Sequence, residues 1–435
     1  MMKLIWILIL SLLLSLNLKS QPGFTWTVLS DMPEAVSNNA VCSAKVGDTT
    51  YVYSFCGIDS TKIHSGIHLN SWRYNAEADR WDSIAVVPDT MGKIGVAASF
   101  VNGKIYVTGG YHVLSNGNEI TSDKVHVFNP TTNAWESDAT PLLYPIDDHV
   151  QVVYKDSLIY CITGWSNSAS FPYVQIYNTY TNSWMAGTFT PNTGIYKCFG
   201  ASGSVIGDTL YYYGGTSGSF SFIAQPFLRK GIIDPSNPSL ITWSQLSGSP
   251  NDAGYRCAPF FWEDQLFWIG GSGISYNYDG IAYDGSGGVD PLARILQYDA
   301  TGNNWTEHSP SPYSVMDLRG SGKISEGKVI ICGGMTNNQT VDNKTYLIEF
   351  SPALLSSENN TGEFINLVYP NPFTNELVVN YTKPFSYEIY SITGELIISG
   401  KSSNNKINLS NLQKGVFIFK PDFTNSSSFF KIYKM

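Results

Sequence analysis

Apolar and polar positions alternate along this chain in short runs, and the runs recur at a long, regular interval. Residues 95–101 alternate, Asn102-Gly103 follows, residues 104–108 alternate again, and Gly109-Gly110 closes the second run. A period of two marks a strand with one face buried, and Asn-Gly between two such runs marks a tight type I′ hairpin. The unit returns as Gly207-Asp208 before Tyr211-Tyr212-Tyr213-Gly214-Gly215, and as Glu263-Asp264 before Phe267-Trp268-Ile269-Gly270-Gly271. It returns again as Glu326-Gly327 before residues 329–332 and Gly333-Gly334, with degenerate copies at Cys56-Gly57 and Thr163-Gly164-Trp165. Glycine is required where a strand ends beside a neighbouring backbone, because a Cβ would hold the two apart.

A tryptophan closes each period. Trp26, Trp81, Trp135, Trp184, Trp243 and Trp305 are spaced by 55, 54, 49, 59 and 62 residues, and a proline follows seven residues after five of them and six after Trp135. Tyr74, Phe128, Tyr177 and Tyr298 stand seven residues ahead of four of them. Each unit reads as four antiparallel strands: an inner one, a glycine-ended second, a third carrying the aromatic, and an outer one carrying Trp. Such a sheet has two apolar faces, so copies stack around an axis and the ring must close. Trp26 lies on an outer strand with no unit before it, and residues 319–350 supply three strands with no Trp after them. The N-terminal strand is therefore expected to complete the sixth sheet. The predicted fold is all-β: a six-bladed propeller closed by its N-terminal strand, followed by a small C-terminal Ig-like β-sandwich.

These residues resemble the kelch-repeat family over about residues 24–351, and the fourth unit carries extra residues around Asp234-Pro235-Ser236-Asn237-Pro238. After a polar stretch, the composition changes to short alternating strands between turn residues. Tyr369-Pro370-Asn371-Pro372, the Ile392-Thr393-Gly394-Glu395 turn, the segment 409–416 and the basic final residues resemble the C-terminal sorting domain of the type IX secretion system. That resemblance implies a Bacteroidota-type exporter as partner, acting on residues 365–435, and release or surface anchoring of the remainder. The expected domains are a signal peptide over 1–20, the propeller over 21–351, a linker over 352–364 and the sorting domain over 365–435.

Composition changes this picture little, but it excludes some partners. Lys3 and the apolar run 4–16 give the first twenty residues the layout of a secretory signal peptide. No later stretch is long and apolar enough to span a membrane. The net charge of −9 argues against nucleic acid, whose phosphates require a Lys/Arg surplus. The six Cys contain no C-x-x-C, and buried free thiols are the general expectation; the best disulfide candidate is Cys42 with Cys56 across the hairpin at Gly47-Asp48.

The connections between second and third strands and between successive units share one face, and residues 111–124, 216–224 and 272–292 make it the expected binding face. Residues opening the inner strands point to its axial mouth: Asn38, Asn39, Lys93, Asp148, His149, Lys197, Arg256, Asp317 and Arg319. Of these, Asn39, Lys93, His149, Lys197, Arg256 and Arg319 are the ligand-binding candidates. Arg256 and Arg319 match the arginine that commonly opens a kelch repeat, and their forks of donors suit a carboxylate or sugar hydroxyls. Asp147-Asp148-His149 does not converge on a metal if adjacent strand residues face opposite ways. The loop with Asp279-Gly280, Asp284-Gly285 and Asp290 lacks the spacing of a calcium loop, so neither metal nor cofactor is expected.

Three functions compete. The first is a secreted or surface-anchored binding propeller for a glycan or protein, favoured because no nucleophile–base pair stands out. The second resembles the kelch sialic-acid mutarotases (N-acetylneuraminate epimerase), with Arg256, Arg319, Asp148 and His149 as the residues to test. The third, a galactose-oxidase-like copper enzyme, fits poorly with six scattered His.

Overall fold

The computed structural model describes residues 18–21, 23–246 and 253–350, and in the C-terminal part 368–370, 372–379, 384–391, 395–402, 405–423, 426–427 and 430–435. The expected signal segment up to residue 17, the 352–364 linker and the turn at 392–394 lie outside the described residues. The chain divides into two compact units, Met1–Ser356 and Ser357–Met435.

Among the described residues of the first unit, six antiparallel sheets built on four main strands succeed one another, with innermost strands Ala40–Val46, Ile94–Val101, Val150–Tyr154, Phe199–Ile206, Ala258–Trp262 and Gly322–Ser325, and Glu119–Thr121 adds a fifth strand to the second. The sixth takes its outer strand from the N-terminus: Phe24–Val28 pairs with Thr345–Phe350, placing Trp26 opposite Ile348. Leu18–Gln21 adds a further strand outside it, so the end of the expected signal segment overlaps a paired strand. Trp26 and Phe24 join Phe260, Phe267, Val329 and Phe350 in one buried cluster that seals the fifth sheet against the sixth.

Local chemistry explains why the outer hairpins form at a fixed spacing. The side chains of Asn75, Asn129, Asn178 and Asp299 each accept the backbone N–H groups two and three residues on, starting the turn. Asp79, Asn133, Asn182 and Asn303 then take the left-handed conformation that short polar side chains tolerate. The Tyr74, Tyr177 and Tyr298 hydroxyls donate to Asp79, Asn182 and Asn303. The turn sets Tyr74, Phe128, Tyr177 and Tyr298 directly opposite Trp81, Trp135, Trp184 and Trp305. In the fourth sheet Gly231 replaces the aromatic opposite Trp243, where a Cβ would lie 2.6 Å from the indole. The indole N–H of Trp135, Trp184 and Trp243 reaches back to Ala85, Thr140 and Thr188 of the preceding unit.

Every neighbouring pair of sheets is joined by one recurring hydrogen bond. Backbone N–H groups of Gly57, Gly110, Gly164, Gly215, Gly271 and Gly334 donate to the carbonyls of Lys93, Ile146, Cys198, Gly254, Val315 and Val36, at 2.7 to 3.2 Å. The last of these closes the circle from the sixth sheet to the first. A Cβ at Gly214 would lie 2.0 Å from the Gly254 oxygen, and one at Gly270 2.1 Å from that of Val315. The degenerate copies keep the same backbone without the first glycine: Cys56 and Thr163 are left-handed at φ 59° and 49°. There the Thr163 hydroxyl donates to the Cys198 carbonyl and accepts from the Cys198 N–H.

The second unit holds the strands Val368–Tyr369, Glu376–Val379 and Lys406–Asn408 in one sheet, and Phe385–Ser391, Leu396–Ser402 and Gly415–Phe423 with Phe430–Lys434 in another. Phe373, Leu377, Ile389, Ile407, Phe419 and Ile432 form its core.

All six cysteines are free and buried. The proposed Cys42–Cys56 pairing is thus corrected: Cys42 faces Tyr53 across the hairpin, and Cys56 falls at an irregularity between Phe55 and Gly57.

The glycine contact predicts that Gly214→Ala costs the first unit about 3 kcal/mol or more. Gly207→Ala, equally left-handed at φ 58° but with open space around it, should cost about 1 kcal/mol. Urea unfolding followed by tryptophan fluorescence checks this, since every Trp precedes residue 306; equal losses would contradict it.

Candidate functional site

Six left-handed residues ring the axis, one at the head of each sheet: Asn38, Gly95, Asp148, Gly200, Arg256 and Asp317, with φ between 48° and 69°. Asp148 N–H donates to Gly95 O, Gly200 N–H to Asp148 O, Arg256 N–H to Gly200 O, and Leu318 N–H to Arg256 O. Asn38 completes the circle by accepting from Gly95 N–H at 2.7 Å and donating to Asp317 at 3.1 Å. Four of the six carry a side chain in a conformation costing about 1–3 kcal/mol each, the kind of strain that collects at functional sites.

Those side chains make a buried charge cluster. Arg256, wholly buried, donates from Nη2 to Asp148 at 2.7 Å and from Nη1 to Asp317 at 2.8 Å. Its guanidinium lies 5.0 Å from the Tyr255 ring centre and 5.4 Å from that of Tyr276. Arg319 reaches the other Asp148 oxygen through Nη1, and the Ser37 hydroxyl donates to Asp317 at 2.5 Å. Burial works against ionisation of Asp148, but Arg256 and Arg319 outweigh it and hold the carboxyl below its usual range. Asp147 goes the opposite way: burial, then the neighbouring Asp148 charge, push it well above that range.

Above this floor opens a recess of about 130 Å³, lined by Glu119, Asp147 and Asp148, by Asn277, and by the rings of Tyr111, Trp165, Phe199, Phe222 and Tyr283. Thr121 donates its hydroxyl to Asp147 at 2.9 Å and so fixes one oxygen. Glu119 stands raised, by burial of its carboxyl and by the nearby Asp148. The volume is below that of a drug-sized pocket, so the recess admits one small group of a larger ligand.

The structure brings together five of the residues singled out in the sequence: Asn38, Asp148, Arg256, Asp317 and Arg319. His149 adjoins them but turns to Gln151, with Nε2 3.2 Å from its oxygen. Asn39 is buried and donates to Ser54. The axial positions of the second and fourth sheets are Gly95 and Gly200 rather than Lys93 and Lys197. Lys93 pairs with Asp89 at 2.6 Å, next to His126, and Lys197 is half-buried. The rule that Asp147 and Asp148 face opposite ways is also corrected. The strand begins only at Val150, and the left-handed Asp148 breaks the alternation, so both carboxylates line the recess. Glu119, Trp165, Phe222 and Tyr283 were not singled out. Glu119, Phe222 and Tyr283 lie in the long loops of the expected binding face, and Trp165 was visible as the residue after the degenerate Thr163-Gly164.

The acidic loop 272–292 is packed, with Tyr276, Ala282 and Val289 buried beside Met335. Asp279, Asp284 and Asp290 accept backbone N–H groups of Ile281, Ser286 and Asn338. Among the described residues no three His, Cys, Asp or Glu side chains are grouped to hold a metal ion, and no helix is long and apolar enough to cross a membrane.

Comparison with known proteins agrees with this architecture. A kelch motif matches residues 94–141, and a secretion system C-terminal sorting domain matches residues 367–434. Kelch-like protein 23 of Homo sapiens is 26% identical over 274 residues, covering 60% of this chain and 42% of that protein. Beta-scruin of Limulus polyphemus is 30% identical over 112 residues, covering 25% of this chain and 11% of that protein. The chain thus spans less than half the length of these curated relatives. The solved structure of YjhT superposes with a TM-score of 0.60 at 17% identity, covering 74% of this chain and 97% of that one. The first unit thus carries a kelch motif within a ring of antiparallel sheets, and its likeness to YjhT is one of fold, that of a β-propeller. The chain also carries a type IX sorting domain, which implies export and a partner in the secretion machinery.

Burial lowers the pKa of His149 to about 4, so it is neutral when folded and takes up a proton on unfolding below pH about 6.5. That contribution is whole above pH about 6.5 and is lost as the pH falls to about 4, worth about 3 kcal/mol. His149→Gln should flatten the pH dependence of unfolding in that window by about this amount; an unchanged slope would place the proton elsewhere.

Proposed function

We propose that the exported propeller is a binding module whose axial recess takes one terminal sugar residue of a glycan. The lining of the recess carries this reading, because aromatic walls suit the apolar face of a pyranose and carboxylates accept its hydroxyls. The sign of charge narrows the ligand further. Both terminal nitrogens of Arg256 are held by Asp148 and Asp317, and Glu119, Asp147 and Asp148 line the walls. An acidic sugar would meet carboxylates with no free guanidinium beside them, so a neutral or amino sugar is favoured. The arginines first read as ligand donors thereby become positioning residues that set the floor. Release from the cell or attachment to its surface is the role that follows from the sorting domain.

A second reading rests on two carboxyls, Asp147 and Glu119, that face the same recess, with burial and the Asp148 charge favouring the protonated form of Asp147, so that one can serve as acid and the other as base. In a sugar mutarotase, protonated Asp147 gives its proton to the ring oxygen as the C1–O bond breaks. Glu119 takes the proton of the anomeric hydroxyl as the carbonyl forms, and closure reverses both transfers.

A glycan array with the mature chain should show neutral or amino-sugar termini bound and sialylated ones unbound, with Trp165→Ala weakening binding by about tenfold or more. Binding confined to sialylated glycans would overturn the assignment. Sugar-anomer exchange by NMR separates the two readings: acceleration abolished by Asp147→Asn favours the enzyme, and binding without exchange favours the module.

A further inference from the structure

We propose that the axial channel beneath the charge cluster is a second, anion-binding site, taking a tetrahedral oxyanion of the size of sulfate or phosphate. The Asp148–Arg256–Asp317–Arg319 layer separates the recess from a cavity of about 250 Å³ lined by inner-strand residues of all six sheets. The charged side chains lining it are Arg319 and Lys323, and no carboxylate lines it. The two cavities thus differ in sign, acidic above and basic below.

Arg319 supplies the specific contact. Its side chain is 5% exposed and engages Asp148 through Nη1, while its Nε–H has no hydrogen-bond partner. A buried guanidinium N–H without an acceptor is unfavourable. An oxyanion in the cavity accepts from Nε and the adjacent Nη2 as a planar fork, the geometry that arginine offers to phosphate and sulfate. Ser43, Ser99, Ser204 and Ser321 line the cavity from four sheets; Ser43 and Ser321 donate to the Lys323 and Pro259 carbonyls, whereas Ser99 accepts from Gln151, so Ser99 and Ser204 are the hydroxyls that can turn to the anion. Lys323, one-third exposed, pairs with Glu326 at 2.8 Å and lies over the Phe261 ring at 5.2 Å. It adds positive potential without touching the cluster.

Titration calorimetry of the mature chain with sodium sulfate, and separately sodium phosphate, against sodium chloride at constant ionic strength tests the site. One saturable oxyanion per chain is expected, weakened about tenfold or more by Arg319→Lys and about threefold by Lys323→Met. The Arg319 Nε–H resonance should shift with the sulfate titration, which keeps the test decisive if Arg319→Lys does not fold. No saturable uptake, chloride acting as well as sulfate, an unchanged affinity in the folded Arg319→Lys, or an unmoved Nε–H resonance each overturns the proposal and leaves a channel holding water alone.

Discussion

One buried guanidinium governs the chemistry of the axis. Arg256 carries its charge with no exposed surface, between two tyrosine rings and two carboxylates from other sheets. Removing such a charge from water costs several kcal/mol, and only close, hydrogen-bonded counter-charges offset it. The consequence spreads outward. Asp148 is kept ionised, Asp147 beside it is driven toward its neutral form, and the recess is left with carboxylates and aromatic rings.

Such a cluster needs a frame that holds three sheets at fixed distance. The frame comes from the bond made by the second glycine of each unit to the carbonyl of the next, repeated around the circle and closed by Val36. Sheets this close leave no room for a Cβ at Gly214 or Gly270. The left-handed ring at the head of the inner strands then converts a packing requirement into a polar platform. Glycine occupies it where nothing but backbone is needed, at Gly95 and Gly200. Asn38, Asp148, Arg256 and Asp317 occupy it where the side chain acts.

Much of the fold was legible because its causes are local and repeated. The Trp and proline register, the Asn-Gly hairpins and the glycine pairs each report one contact, and the lone Trp26 strand pointed to a missing partner. The faces of the loops were legible for the same reason, since strand count fixes which connections share an end. The site itself was only partly so. Arg256, Arg319 and Asp148 could be placed at the axis, but that Arg256 is bound by Asp148 and Asp317 depends on contacts between residues 108 and 61 positions apart. Lys93 and Lys197 were placed at the axis because the left-handed positions of their units are glycines, which carry no chemical signal. The period-two rule misjudged Asp147 and Asp148, since it applies only once the strand has begun.

The central claim is that the charge cluster is maintained for the recess rather than for the stability of the ring. Unfolding free energies of Arg256→Met and of the fourfold variant Arg256→Met, Arg319→Met, Asp148→Asn and Asp317→Asn test it most directly. Removing Arg256 alone leaves buried Asp317 without a counter-charge and Asp148 with Arg319 alone, and should cost about 3–5 kcal/mol, whereas neutralising all four should return stability to within about 1 kcal/mol of the parent while glycan binding is lost. A fourfold variant as unstable as the single one would contradict the account and make the cluster a support of the fold.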